Sequence, residues 1–179
     1  HDFLTALPST VTAIVDEAYI EFCSSPPDLH RLIERHPRLL VLRTFSKAYG
    51  LAALRVGYAA GSEEIVSTVR QFEMPFGVNP SALAVVPIAL AADAELEHRV
   101  RTLCDERAAL AAGLAAWGMP PLPSEANFVY LPGPDGIATG RLLASCGITV
   151  KECGTHGVRV TVGDRTSTAE VLAALHSTA

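Results

Sequence analysis

Two segments of the sequence place reactive side chains directly after apolar runs. Asp16 and Glu17 follow the β-branched run of residues 10–15, and Ser46 and Lys47 follow the apolar run of residues 39–44. Short apolar runs predict buried strands, and open α/β sheets bind ligands at the ends of their strands. Because a lysine amine at such an edge can form a Schiff base with a carbonyl group, Lys47 is a candidate for covalent chemistry.

Each of these residues also has an ordinary interpretation. Asp16 could cap the loop that follows its strand, and Lys47 could be a solvated lysine beyond a strand. The adjacent Ser46 and Lys47 would also suit a serine–lysine hydrolase, although the sequence shows no sign of the oxyanion hole that such an enzyme needs.

Two arginines have the character of anion ligands. Arg55 lies eight residues after Lys47, and Arg159 lies within the apolar run Val158–Val162. A planar guanidinium can donate two parallel hydrogen bonds to a phosphate or carboxylate. Arg55 alone could be an exposed charge. Arg159 needs a negative partner, either a substrate carboxylate or a salt bridge within the chain.

The elements that must position these residues alternate between strands and helices, which indicates an α/β fold. Strands are predicted at 10–15, 39–44, 55–60, 127–131, 148–151 and 158–162. Ser25, Ser62 and a capping box of Ser167 and Glu170 are predicted to begin helices. Further helices are predicted at 96–117 and 138–146, and the Pro- and Gly-containing residues 74–80 form the best internal boundary.

Composition narrows the class of protein. The 179 residues carry a formal net charge of −5, which gives no electrostatic reason to expect nucleic acid or an anionic membrane as a partner. None of the four cysteines is in a CxxC pair, so we expect reduced thiols, no metal site and a cytoplasmic location. No signal peptide is recognised, and the absence of an initiator methionine suggests a piece of a longer protein.

The ordered set of motifs closely resembles one enzyme family over essentially the whole chain. VDEAYIEF, RTFSKAYGLAALRVGYAAG, SEANFVYL and GVRVTVGD are similar to the histidinol-phosphate and aromatic aminotransferase branch of the fold-type I enzymes that use pyridoxal 5'-phosphate (PLP). The resemblance covers only the C-terminal half of such enzymes. It implies that residues 1–80 end the large PLP-binding domain, and that residues 81–179 form a connecting helix and a small C-terminal α+β domain.

The resemblance also implies roles for three residues around the cofactor ring. Asp16 would pair with the pyridine nitrogen and keep it protonated, so that the ring accepts electrons. Tyr19 would hydrogen-bond the ring hydroxyl oxygen. Lys47 would hold the cofactor through a Schiff base, and would then move a proton between the substrate and the cofactor as base and acid.

Three further residues are implied as anion ligands. Ser46 and Arg55 would hold the cofactor phosphate, and Arg159 would bind the α-carboxylate of the substrate. The implied reaction is a transamination between an amino acid and a 2-oxo acid by a homodimer, and the 179-residue chain alone is expected to be inactive.

The sequence departs from the family pattern in three ways. Ala53 replaces a usual glycine, which is acceptable if the backbone there is not left-handed. Lys151 stands where many relatives have arginine, and so lacks the bidentate fork for a second anionic group. The N-terminal half, which would supply further cofactor contacts, is missing.

Several functions stay open at this stage. The residues within the motifs resemble aromatic amino acid aminotransferases more than histidinol-phosphate aminotransferases, the family's enzymes of histidine biosynthesis. The resemblance therefore favours an aromatic amino acid as substrate over histidinol phosphate. A PLP decarboxylase on the same scaffold is an alternative, because the reaction depends on which bond of the α-carbon stands perpendicular to the ring. A non-catalytic truncated remnant is another.

Overall fold

Strands and helices alternate along the chain, as the sequence predicts. The computed structural model describes residues 2–177. Its helices are Asp2–Ala6 (α1), Leu29–Arg35 (α2), Glu63–Arg70 (α3), Pro80–Leu90 (α4), Asp93–Ala116 (α5), Gly133–Ser145 (α6) and Arg165–His176 (α7). Its strands are Ala13–Asp16 (β1), Leu39–Thr44 (β2), Gly57–Gly61 (β3), Phe128–Pro132 (β4), Lys151–Glu152 (β5) and Gly157–Thr161 (β6). The backbone divides into two compact units, His1–Leu96 and Glu97–Ala179.

The sheet of the first unit has the strand order β1-β2-β3. β1 runs parallel to β2, with Asp16 opposite Leu42, and β3 runs antiparallel to β2, with Gly57 opposite Thr44. The carboxyl ends of β1 and β2 and the amino end of β3 therefore lie at one edge of the sheet. We call this edge, with the loops that follow β1 and β2 and precede β3, the ligand edge.

Apolar packing and a capped helix hold this sheet in place. Leu32 of α2 packs with Leu39 and Val41 of β2, and all three side chains are buried. Burial of a side chain of this size contributes about 1.5–3 kcal/mol. α3 begins after Ser62, whose hydroxyl oxygen accepts a hydrogen bond from the Ile65 amide at 3.4 Å. The predicted cap at Ser62 is therefore confirmed.

The second unit places an antiparallel sheet of order β4-β6-β5 against helices. One face of the sheet is buried in the core of this unit. The buried core residues are Leu110, Leu114, Val129, Leu131, Leu143, Val158, Val160, Val162, Val171, Ala174 and Leu175. The other face carries Phe128 and Tyr130 of β4, Arg159 of β6 and Lys151 of β5, because successive side chains of a strand point to opposite faces.

The starts of three helices differ from the prediction. α2 begins after Asp28 instead of Ser25, since Pro27 disfavours helical backbone at the preceding residue. α7 begins after Asp164, whose carboxylate accepts hydrogen bonds from both the amide and the hydroxyl of Ser167, at 2.9 and 2.7 Å. Ser167 is thus a donor in the first turn and not the cap. α6 begins at Gly133 instead of residue 138.

Two further observations bear on the class of protein. Within residues 2–177, no helix is long and apolar enough to cross a membrane, and no group of His, Cys, Asp and Glu side chains is arranged to hold a metal ion. The assignment of residues 1–80 to a PLP-binding domain and of residues 81–179 to a connecting helix and C-terminal domain stays a prediction.

Candidate active site

Asp16 and Tyr19 lie where β1 reaches the ligand edge. Asp16 is the last residue of β1, and its Oδ1 accepts a hydrogen bond from the Ala18 amide at 3.0 Å. The ordinary interpretation, a carboxylate that caps the next turn, is therefore correct for Oδ1. The turn brings Tyr19 to the same edge, half-buried.

Lys47 is held beside Tyr19. Its Nζ lies 5.3 Å from the centroid of the Tyr19 ring, and its side chain is half-buried. The chain after β2 turns tightly, because the Gly50 amide donates to the Lys47 carbonyl at 3.0 Å and the Leu51 amide donates to the Phe45 carbonyl at 2.9 Å. Phe45 is buried and its ring contacts that of Tyr58 in β3, so the turn that carries Lys47 is anchored to the sheet.

The hydroxyl of Thr44 links the segment that carries Ser46 to the segment that carries Arg55. The Ser46 amide donates to Thr44 Oγ1 at 3.1 Å, and Thr44 Oγ1 donates to the Val56 carbonyl at 3.4 Å. The segment before β3 therefore lies against the segment after β2. The structure brings all five candidate residues of the first unit to one edge: Asp16, Tyr19, Ser46, Lys47 and Arg55.

The backbone of Arg55 differs from the prediction that it begins a strand. It has φ 52° and ψ 49°, the left-handed conformation, and ends a short 3-10 turn at Ala52–Leu54. Its Nη1 donates to the Ala52 carbonyl at 2.9 Å. Ladder pairing begins only at Gly57, where an added Cβ would lie 2.6 Å from the Arg43 carbonyl oxygen. Arg55 is thus a loop residue. It precedes Gly57, whose lack of a side chain lets β3 approach the backbone of β2 closely.

A buried ion pair behind the ligand edge was missed in the sequence. Arg43 Nε and Nη2 each lie 2.9 Å from Glu17 Oε2, and the Glu17 side chain is only 6 % exposed. Burial alone would lower the pKa of Arg43, but the Tyr58 hydroxyl and Glu17 outweigh burial and raise it. An arginine within an apolar strand, next to a strand that ends in two acids, is the signal that predicts such a pair.

Two further titratable groups are shifted near this pair. Burial raises the pKa of the Glu21 carboxyl, opposed by a hydrogen bond from its own backbone and by the charge of Arg43. Glu21 Oε2 is buried and has no hydrogen-bond partner among residues 2–177. Burial also raises the pKa of the Tyr49 hydroxyl, assisted by the negative charge of Glu21.

Asn79 is a second residue that the sequence prediction missed. Its Oδ1 accepts from the Ala82 amide at 2.9 Å and so caps α4, while its Nδ2 donates to the Leu54 carbonyl at 3.0 Å. The Asn-Pro pair at the start of α4 signals the cap. The contact with Leu54, directly before Arg55, could not be predicted because it joins residues 25 positions apart.

Arg159 lies in the second unit, on the middle strand of its sheet. Lys151 pairs with it on one side and Tyr130 on the other. Its guanidinium carbon lies 5.1 Å from the centroid of the Phe128 ring. Within the described residues Arg159 forms no ion pair, and its buried Nε has no hydrogen-bond acceptor. The interpretation of Arg159 as half of a salt bridge is therefore wrong for the described part of the chain.

The chain is similar to known aminotransferases in sequence and in fold. The sequence model of the family described as "Aminotransferase class I and II" matches residues 3–175. The chain is 44 % identical over 167 residues to an aromatic amino acid aminotransferase of Nocardia farcinica (strain IFM 10152), covering 90 % of this chain and 47 % of that relative. An enzyme of the same name from Thermobifida fusca (strain YX) is 42 % identical over 165 residues, covering 90 % and 46 %.

Solved structures are similar over nearly the whole chain. A histidinol-phosphate aminotransferase from Sinorhizobium meliloti, in complex with pyridoxal-5'-phosphate, superposes with a TM-score of 0.85 at 27 % identity and covers 99 % of this chain and 52 % of that one. The chain spans about half the length of the curated relatives it matches. From its fold, the residues at its ligand edge and the family match, the chain belongs to the class I and II aminotransferases.

Proposed function

We propose that the whole protein is a PLP-dependent aminotransferase that moves an amino group between an aromatic amino acid and a 2-oxo acid. The single observation that carries the proposal is the ligand edge. There a lysine amine lies beside a phenol ring, and a strand-end carboxylate and an exposed guanidinium lie at the same edge of the sheet.

The residues of this edge fit PLP in their chemistry. The Lys47 amine is half-buried and lies over the Tyr19 ring without an ion-pair partner among the described residues. Arg55 uses Nη1 for the Ala52 carbonyl and is otherwise exposed, which suits a dianionic phosphate. Asp16 uses Oδ1 for its turn, and the remaining oxygen suits a protonated ring nitrogen.

PLP, when bound, supplies an aldehyde that takes up an amine and a ring that accepts electrons. In the proposed arrangement, Asp16 holds the proton on the ring nitrogen and Tyr19 donates to the ring hydroxyl oxygen. Lys47 binds the cofactor and moves the proton at the substrate α-carbon. Ser46 and Arg55 bind the phosphate, and Arg159 binds the substrate carboxylate.

The proposed substrate class follows the named relatives and the cations of the second unit. Two relatives at 44 % and 42 % identity are aromatic amino acid aminotransferases. A phosphorylated substrate needs several cations, and Lys151 offers one point charge in place of a bidentate fork. Histidinol phosphate is the second candidate substrate, because the structural neighbour from S. meliloti is named a histidinol-phosphate aminotransferase.

The test of the cofactor site compares the two lysines of these 179 residues, Lys47 and Lys151. The whole protein is loaded with PLP, reduced with borohydride and mapped by peptide mass spectrometry. We expect the cofactor mass on the peptide of Lys47, its loss in Lys47→Ala, and full retention in the matched control Lys151→Ala. A colourless protein, or a cofactor mass at any other lysine, would contradict the proposal.

The substrate class is tested by turnover of the whole protein with phenylalanine and with histidinol phosphate, each paired with a 2-oxo acid. We expect a higher kcat/KM for phenylalanine. A clear preference for histidinol phosphate would reverse the order of the two candidates. Release of carbon dioxide in place of a keto acid would instead identify a decarboxylase.

We also propose that the whole protein is a cytoplasmic homodimer. Large apolar side chains of the first unit are exposed, among them Phe72 at 82 % and Met74 at 73 %, and such surfaces mark association sites. None of the four cysteines forms a disulfide within the described residues, and such cysteines are typical of proteins in a reducing compartment. Analytical ultracentrifugation of the whole protein should give twice the chain mass, and fractionation should recover it without membranes.

A further inference from the structure

Arg159 carries a charge for which the described part of the chain supplies no anion. Its Nε is buried without an acceptor, and its two cross-strand neighbours are Lys151 and Tyr130. On this face of the sheet, no described strand position is occupied by an acid. The like charge of Lys151 makes the site more electropositive, so something other than a counter-ion must hold the guanidinium in place.

The ring of Phe128 occupies that place. The guanidinium carbon of Arg159 lies 5.1 Å from the ring centroid, within the range of a cation–π contact. Phe128 pairs with Thr161 while Tyr130 pairs with Arg159, so Phe128 is a diagonal neighbour of Arg159 on the same face. The contact is therefore dictated by the register of β4 and β6.

The backbone around Phe128 is itself fixed. Ser124 Oγ donates to the Phe128 carbonyl at 2.7 Å and accepts from the Ala126 amide at 3.2 Å. Arg107 Nη1 donates to the Ala126 carbonyl at 2.7 Å. The Val162 amide donates to the Asn127 carbonyl at 2.9 Å. These bonds tie the segment before β4 to α5 and to the end of β6. The backbone that carries the Phe128 ring is therefore held in place.

We propose that Phe128 is a positioning residue that orients Arg159 for the carboxylate of the substrate, an inference that rests on the proposed function. A carboxylate in place of the ring would hold the guanidinium equally well, but it would occupy the N–H donors that the substrate needs. An aromatic face attracts the cation through its quadrupole and accepts no in-plane hydrogen bond. The N–H donors of Arg159 are thereby oriented and left for a ligand.

The experiment measures binding by calorimetry in the whole PLP-loaded protein, with 3-phenylpropanoate and its neutral amide as probes. In Phe128→Leu, we expect the Kd of the acid to rise about fivefold and the Kd of the amide to stay unchanged, because only the acid uses the guanidinium. Phe128→Tyr keeps an aromatic face and should restore acid binding. Equal weakening for both probes, or no change for the acid, would overturn the inference.

A second substitution removes the attraction without removing the shape. Pentafluorophenylalanine at position 128 reverses the ring quadrupole with little change in size. We expect it to weaken binding of the acid about as much as Phe128→Leu does. It keeps the test available if Phe128→Leu folds poorly. Wild-type binding of the acid would overturn the inference. Failure of the proposed function would be seen in a different measurement. In that case borohydride reduction of the wild-type protein would leave Lys47 without the cofactor mass, whatever residue stands at position 128.

Discussion

Arg43 and Glu17 are joined by two contacts of 2.9 Å, from Nε and Nη2 of the arginine to one carboxylate oxygen. Glu17 follows Asp16 directly, and Arg43 lies four residues before Lys47. The pair therefore connects the two strands that deliver the proposed ring partner and the proposed cofactor amine. A relative shift of β1 and β2 would break both contacts.

Loss of the Glu17 charge should destabilise the protein. Glu17→Gln removes the carboxylate that lies 2.9 Å from both Nε and Nη2 of Arg43, and we expect the free energy of unfolding to fall by about 3 kcal/mol. Glu97→Gln is the matched control, since its pair with Arg101 is 67–69 % exposed and spans 3.4 Å. Urea unfolding should show a change below about 0.5 kcal/mol for the control. Equal effects of the two variants would contradict the structural role of the buried pair.

Glu21 should make stability depend on pH. Its raised pKa means that the folded protein binds the proton more tightly than the unfolded chain does. Its contribution is therefore most favourable at acid pH, and declines as pH rises from the ordinary value of 4.5 through the raised folded-state pKa. Glu21→Gln should be more stable than wild type near neutral pH, with the difference shrinking on acidification. Parallel unfolding curves across pH would contradict this prediction.

Two substitutions between Ala and Gly should have unequal effects near Arg55. Gly57→Ala places a Cβ at 2.6 Å from the Arg43 carbonyl oxygen, and we expect a loss of about 2 kcal/mol in unfolding free energy. Ala53 does not have positive φ, so Ala53→Gly should cost no more than about 1 kcal/mol. Thermal unfolding with PLP absent compares them; a larger loss for Ala53→Gly would contradict the observed backbone.

Asp16→Asn separates the two interpretations of this residue. The asparagine oxygen can still accept from the Ala18 amide, so the turn and the thermal stability should be preserved. The negative charge is lost, and we expect transamination by the whole protein to fall about a hundredfold. Unchanged turnover would show that Asp16 serves only as a cap.

Lys151→Arg should change the preference for an anionic side chain. The planar fork adds a bidentate donor beside Arg159, and we expect the KM for histidinol phosphate to fall about fivefold with little change for phenylalanine. Steady-state kinetics of both substrates measures this shift. An equal change for both substrates would show that Lys151 does not read the side chain.

The sequence predicted the positions of most strands better than the conformations of the loops between them. β2 has the predicted bounds, and β1, β4 and β6 lie within three residues of the predicted positions, because apolar runs are local signals. The strand predicted at 148–151 is wrong except at its last residue, because β5 is Lys151–Glu152. Arg55 was wrongly placed in a strand, since it ends the short turn of residues 52–54 and strand pairing begins only at Gly57.

The candidate site could be predicted as a set of residues but not as a geometry. Asp16, Ser46 and Lys47 follow apolar runs, and the strand order then places them at one edge. The Glu17–Arg43 pair joins residues 26 positions apart, and the Phe128–Arg159 contact depends on the register of two antiparallel strands. Such contacts can be expected only once the neighbouring strands and their register are known, and not from either segment of the sequence alone.

If Arg55 binds the cofactor phosphate as proposed, its left-handed backbone links cofactor binding to the integrity of the sheet. For a residue with a Cβ this conformation costs about 1–2 kcal/mol, which the neighbouring strand pairing and the Asn79 bond to Leu54 must offset. A substitution that loosens β3, even far from any ligand, would release residue 55 to an ordinary conformation and turn its guanidinium away. A substitution that weakens the packing of the first unit would then also lower the affinity for the cofactor phosphate. The two quantities should change together.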